Sequence, residues 1–470
     1  MKKLIIRNFS VNVIQLIVNQ VLGLGIFYVL STGLDKNTFG QINLVLAILL
    51  ASFNILSFGI DQLVVKKIAA GANASTITAI YIFHVLVSGF VFYGLLLAAH
   101  LFIPNVNQVY SLLLLIGIGK LMIFLSSPFK QAANGLERFK LLAFMLVISN
   151  IVRCFGLIIL ALTHVLSLHN IVIIFIAGDV AELLFCLLAF KRATKISLSF
   201  KWNRKDYGKL LTEAIPQTGV VLITSALSRF DWIFIGFMVS AIKLAEYSFA
   251  YKIFEISTLP LMAIAPLLIP RFTKKIQQNE INPNELKTLV RAEMIIAALV
   301  ALLLNICWSP VIDWITHGKY GLINVKTIFI LTLCMPFLYL NNFLWTIYFA
   351  QGRLKMILTS FVITLLVNVV GDIVLIPFFK NEGAAFAFLA ACLVQAVYYL
   401  KKNELTSINH IWHPLALCIL CALLSGFLAK MLFATLWGVL PASIVLYLIF
   451  LFIARQIKLA DVRSIRQFLA

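Results

Sequence analysis

Stretches long and apolar enough to cross a lipid bilayer follow one another along this chain almost without interruption. A spanning helix needs about 20 largely apolar residues. Fourteen such stretches can be delimited, near 8–30, 40–60, 77–102, 108–128, 141–163, 170–190, 216–239, 246–269, 290–315, 325–349, 355–378, 383–400, 411–430 and 434–454. Hydrocarbon offers the backbone no hydrogen bonds, so a spanning segment is a helix or part of a closed barrel. Runs of this length select helices. The fold class is therefore an all-α polytopic membrane protein. Composition agrees: 62% of the 470 residues are apolar and only 12% are charged, which excludes a soluble enzyme, a disordered chain and a small secreted domain. The first stretch follows Met1-Lys2-Lys3, but it is long, contains Asn and Gln, and lacks a small-x-small cleavage site. We read it as a span rather than a cleaved signal.

Net charge is +20. In a soluble chain that would suggest nucleic acid; here the basic residues occupy short loops, so membrane orientation explains them and no nucleic-acid partner is expected. With the N-terminus in the cytoplasm, cytoplasmic segments hold 28 Lys/Arg and the opposite face holds 6: Lys36, Lys243, Lys319, Lys326, Lys380 and Lys430. Both termini are thus expected in the cytoplasm. The largest basic segment, Lys191 to Leu211, can also meet anionic membrane lipids. The seven cysteines all fall in apolar stretches, and the Cys418-x-x-Cys421 pair has no second ligand pair, which reads as packing rather than a metal site. Neither a P-loop nor an H-E-x-x-H motif occurs, and no long external loop carries a carboxylate pair. No cofactor or metal is expected, and transport is the default function.

The first six spans weakly resemble the next six. Ala133-Asn134-Gly135-Leu136-Glu137-Arg138 follows span four and Ala350-Gln351-Gly352-Arg353 follows span ten; each precedes a span with a central Asn, Asn150 and Asn368. Six is an even number, so the halves enter the membrane in the same direction, as in two-lobed transporters with a central cavity. The expected division is a first lobe at 1–205, a second at 206–404, and a C-terminal helix pair at 405–470.

Each lobe begins with a polar helix. Asn8, Asn12, Gln15 and Asn19 form one stripe on span one, and Gln217, Thr224, Ser228 and Asp231 form one on span seven. Such stripes either bond neighbouring helices or line a cavity; four amides in register favour a cavity. Charges within the spans are Lys120, Arg153, Arg229 and Lys252 against Asp179, Glu182, Asp231, Glu255 and Asp372. They are either interhelical ion pairs, or cations for an anionic substrate with carboxylates carrying coupling protons or sodium. His84 and His100 read as satisfied helix residues rather than proton relays.

Several pieces together resemble a known family: Thr38-Phe39-Gly40, Phe58-Gly59-Ile60-Asp61 with Lys66-Lys67, Asn134-Gly135 with Arg138, Ala214-Ile215-Pro216, Arg229-Phe230-Asp231, Glu246-Tyr247-Ser248-Phe249-Ala250-Tyr251 and Glu382-Gly383-Ala384-Ala385. In order and spacing they are similar to bacterial polysaccharide flippases, relatives of multidrug extruders and lipid II flippases. The resemblance implies two six-helix lobes around a cavity, two extra helices, alternating access, and movement of a polyprenyl-diphosphate-linked oligosaccharide across the bacterial inner membrane. It also implies coupling to H+ or Na+. Lys120, Arg153 and Arg229 are the candidates for the diphosphate, with Asn12, Gln15 and Asn19 lining the path. Asp179, Glu182, Asp231 and Asp372 are the candidates for ion coupling. In-span charge is not net positive, however, unlike a strongly cationic cavity. The alternative is an exporter of small amphipathic cations.

Overall fold

A computed structural model of the chain describes residues 2–99, 108–194, 196, 204–259, 261, 268–269, 272–275, 278, 283–402 and 411–457. The main helices are α1 (Lys2–Gly33), α2 (Lys36–Leu56), α3 (Ile60–Ala69), α4 (Ala74–Ala98), α5 (Gln108–Gly135), α6 (Phe139–Leu162), α7 (Leu168–Thr194), α8 (Arg204–Met238), α9 (Ala241–Ser257), α10 (Pro283–Thr316), α11 (Val325–Ala350), α12 (Leu354–Lys401), α13 (Trp412–Leu432) and α14 (Leu436–Ile453). Among the described residues, twelve helices are long and apolar enough to cross a membrane.

The difference from fourteen has two sources. The stretches 355–378 and 383–400 are two helices joined by a sharp turn at Lys380 (φ 52°, ψ −122°); numbered together as α12, they count once among the twelve. The stretch 246–269 begins as α9, of 17 residues, and then runs into positions outside the described residues.

Helix starts follow the local sequence. Asp35 caps α2 by accepting the Thr38 N–H at 3.0 Å, and hydrogen bonds from Thr38 hold its carboxyl below the usual carboxylate range. Asn73 caps α4 through Thr76 N–H at 3.2 Å. Ser240 caps α9 through Lys243 N–H at 3.2 Å.

The repeat has a backbone counterpart. After α5, Arg138 N–H donates to Ala133 O at 2.9 Å, and after α11, Arg353 N–H donates to Tyr348 O at 2.9 Å, the same helix-ending bond. Glu137 (φ 57°) and Gly352 (φ 73°) hold the left-handed position in the two turns. Arg138 (φ −82°, ψ 57°) and Arg353 (φ −81°, ψ 51°) share one conformation. Counting onward from these turns, Lys140 matches Lys355 and Asn368 falls opposite Arg153, not Asn150 as the sequence alone suggests.

Two compact units emerge, Met1–Gly236 and Phe237–Ala470. In the first, α5 runs beside α2, α3, α4 and α7, while α6 lies between α1 and α7. Almost all of α8 belongs to this unit: Gly236 lies on Leu44, and Gly59 on Gln217. In the second, α11 lies between α10 and α12, and the α13–α14 pair packs on α10. Tyr447 secures α14 by donating to Ile295 O at 3.0 Å. Tyr348 donates to Tyr399 O at 2.9 Å, and Ser360 to the Tyr399 hydroxyl at 2.7 Å. Cys418 and Cys421 are buried free thiols in this packing.

Candidate functional site

Residues of α5, α6 and α7 bring five charges into one cluster inside the first unit. Asp179 and Glu182 lie three apart on α7, so both face the same side. Arg153 of α6 is ion-paired with Asp179, whose Oδ1 also accepts the Ser149 hydroxyl at 2.9 Å. Lys130 of α5 pairs with Glu182 at 2.7 Å, and the Ser126 hydroxyl donates to the same oxygen at 3.3 Å. All four charged side chains are at least nine-tenths removed from solvent. Charges in low dielectric survive only when paired and hydrogen-bonded, which these are.

Two local features allow this. A Cβ on Gly119 would stand 2.5 Å from Asp179 Oδ2, so the absence of a side chain there makes room for the carboxylate. The Arg153 guanidinium also lies 4.7 Å from the centre of the Phe175 ring, a cation–π contact.

Lys120 is the fifth charge. It follows Gly119 and lies within the electrostatic reach of Arg153, Asp179, Glu182 and Lys130. It has no carboxylate at ion-pair distance among the described residues. Three cations therefore stand against two carboxylates, both already engaged. By formal charge the cluster counts one cation more than its carboxylates, and Lys120 is the cation without an ion-pair partner among the described residues.

On α1, Gln15 and Asn19 are half-buried, while Leu16, Ile17 and Val18 between them and Ile14 before them are exposed. The amide stripe thus faces protein and its neighbours face outward. Asn19 Oδ1 accepts from Asn150 Nδ2 at 3.1 Å, which joins α1 to α6. The side chains of Asn8, Asn12, Thr224 and Ser228, and all of His100, lie outside the described residues. His84 is satisfied: its ring nitrogens meet Tyr207 Oη at 3.0 Å and Leu56 O at 2.9 Å.

On α8, the Arg229 guanidinium stands over the Trp232 ring at 4.5 Å. Asp231 is buried, and its Oδ1 accepts the Trp232 N–H at 2.8 Å. The structure pairs Asp179 and Glu182 with Arg153 and Lys130, not with Arg229. In the second unit, Asp372 and Asn368 are both buried one turn apart on α12. Lys252 and Glu255 pair at 2.9 Å, as their spacing on α9 implies.

Two residues escaped the sequence reading. Lys130 looks like a loop residue after span four, but α5 continues through Pro128 to Gly135 and carries it inside. The signal was the helix-compatible run Phe129 to Ala133, which holds no turn residue between Pro128 and Asn134. Glu293 of α10 is also buried, with an Oε2 that has no hydrogen-bond partner among the described residues. It sits near the start of an apolar run, where a boundary charge and an interior one look alike.

Comparison with known proteins adds the following. A family described as polysaccharide biosynthesis protein matches residues 5–277. No curated protein matches. Among solved structures, the lipid II flippase MurJ in an inward closed conformation aligns with TM-score 0.73 at 17% identity, covering 94% of this chain and 98% of that one. An inward-facing multidrug resistance MATE family transporter of the MOP superfamily aligns with TM-score 0.65 at 12% identity, covering 84% and 98%. A MOP superfamily transporter from Pyrococcus furiosus, described by a reversed polarity of its binding pocket, aligns with TM-score 0.58 at 14% identity, covering 87% and 96%. At these identities the likeness establishes the fold: a multi-pass membrane protein built like the MOP transporters.

Proposed function

The chain belongs to the polysaccharide biosynthesis protein family, and from that premise we propose that it is a flippase for a polyprenyl-diphosphate-linked oligosaccharide. It moves this substrate from the cytoplasmic to the outer leaflet of a bacterial inner membrane, with both termini in the cytoplasm. The work is translocation by alternating access of two lobes, 1–205 and 206–404, and involves no bond chemistry. The observation that carries this reading is the surplus cation of the α5–α6–α7 cluster. Both carboxylates there are spent on Arg153 and Lys130, so Lys120 is left without a carboxylate of its own and is the side chain we assign to an anionic group. A diphosphate supplies that group. Arg229, presented over Trp232, offers the bidentate donor geometry that a phosphate accepts.

An extruder of small amphipathic cations shares the fold, but a cluster with excess positive charge repels such cargo. We assign coupling to H+ or Na+ to the buried carboxylates of Asp231 and Asp372. Gln15 and Asn19 line the path on α1, with Asn12 one turn earlier.

The test is glycan export in cells, with protein abundance measured in parallel. Lys120→Ala and Arg229→Ala abolish export at unchanged abundance, and Arg229→Lys recovers only part. Full export by a well-expressed Lys120→Ala protein sinks the assignment of the cluster. A loss of drug resistance without a loss of export identifies the extruder instead.

A further inference from the structure

The second unit contains a cavity of about 1470 Å³, bounded by α10, α11, the break in α12, and α13. It exceeds the roughly 300–1,000 Å³ of ordinary small-molecule clefts. Its walls are mainly apolar, and several of them, Phe329, Phe378, Leu423 and Phe427, remain exposed. Exposed aromatic and aliphatic walls of this kind call for a hydrocarbon occupant.

The polar groups are not spread evenly over the elements. Lys326, Lys380 and Lys430 all line the cavity and all are exposed. Following the chain, α10 ends at Thr316, α11 begins at Val325, α12 breaks at Lys380 and α13 ends at Leu432. Successive traverses bring these four points to one face of the membrane. The three ammonium groups therefore belong to the same end of the cavity. Half of the six basic residues assigned to that face converge on this one mouth. Two carboxylates line it as well. Asp313 is consumed by the α10–α11 turn: its oxygens accept Gly321 N–H at 2.8 Å, Leu322 N–H at 3.0 Å and the Ser309 hydroxyl at 2.9 Å. Those donors are neutral, so by formal charge Asp313 and Glu382 together offset two of the three lysines.

We propose that this cavity is a binding site for an anionic membrane phospholipid, whose acyl chains fill the apolar walls and whose phosphate meets Lys326, Lys380 and Lys430. The inference is independent of the substrate assigned above. A zwitterionic headgroup would bring its own ammonium towards three others, so the site discriminates by charge. Each Lys near an anionic lipid surface contributes about 1 kcal/mol. Three lysines against two carboxylates thus leave a net of one positive charge and a preference for phosphatidylglycerol over phosphatidylethanolamine of roughly 5-fold.

The experiment is lipid retention by the full-length protein in native mass spectrometry, titrated with phosphatidylglycerol or phosphatidylethanolamine. Wild type is expected to retain phosphatidylglycerol with roughly that preference. The Lys326→Gln/Lys380→Gln/Lys430→Gln protein should bind both lipids equally. Leu423→Trp, which fills the cavity and leaves the lysines in place, should bind neither tightly. Unfolding midpoints in phosphatidylethanolamine alone check that the variants fold. Should the triple variant fail that check, Leu423→Trp and loss of the preference at high salt decide the matter. Equal retention of the two lipids by wild type overturns the proposal. So does a preference that survives in both variants. Tighter, lysine-dependent binding of polyprenyl diphosphate in place of phosphatidylglycerol would also overturn it, giving the cavity to the transported lipid.

Discussion

At the scale of single residues, the informative group is the Arg153–Asp179 pair. Removing one partner of a buried ion pair leaves the other charge uncompensated, at a cost of about 3–5 kcal/mol, whereas replacing both by apolar residues is often neutral. Asp179→Ala should therefore lower the thermal midpoint and the abundance of the protein. Arg153→Met combined with Asp179→Leu should restore both. Export separates the two roles of Arg153. A double variant that is stable but does not export shows that the guanidinium also serves the substrate. One that is stable and fully active leaves Arg153 a purely structural residue.

At the scale of helices, the corner between α2 and α3 governs how α8 is held. Gly59 adopts φ 65°, and a Cβ built on it stands 2.6 Å from the Gln217 Cβ. Beside it, the Thr218 hydroxyl donates to Phe58 O at 2.8 Å, and Lys67 pairs with Glu213 at 2.5 Å. Gly59→Val both strains the backbone and pushes α8 away, so we expect reduced abundance and loss of export. Thr218→Val removes one hydrogen bond of about 1 kcal/mol and should leave abundance near wild type. Equal abundance of Gly59→Val and wild type would show that α8 does not need this close approach. The amide stripe on α1 makes a second claim at this scale. A cysteine at Gln15 should react with a polar thiol reagent, and one at Ile14 should not. Equal protection of both would assign the stripe to packing.

For the whole molecule, the testable property is orientation. Basic residues are retained on the cytoplasmic side during insertion, and the split of 28 against 6 is large. Reporter fusions after Lys36 and Lys319 should read external, and fusions after Lys140 internal. An external reading at Lys140 would invert the topology and, with it, the face on which the lipid cavity opens.

The apolar runs alone determined that this chain is an all-helical, many-times-spanning membrane protein, because a bilayer imposes the length and the internal hydrogen bonding of each span regardless of its neighbours. The repeated segments ending at Arg138 and Arg353 were legible for a similar reason: the bonds of those turns close within a few residues. The turn between the two spans of α12 was legible as the short loop Phe379-Lys380-Asn381, but the run of α5 on through Pro128 to Gly135 was not. Nor could the sequence reveal which charges meet. Arg153 and Asp179 are 26 residues apart, Lys130 and Glu182 are 52 apart, and any of four in-span cations could have served either carboxylate. Helix packing, by setting α5 and α6 against one face of α7, chose the partners and left Lys120 as the surplus charge, because a buried carboxylate takes whichever cation the neighbouring helices bring within reach.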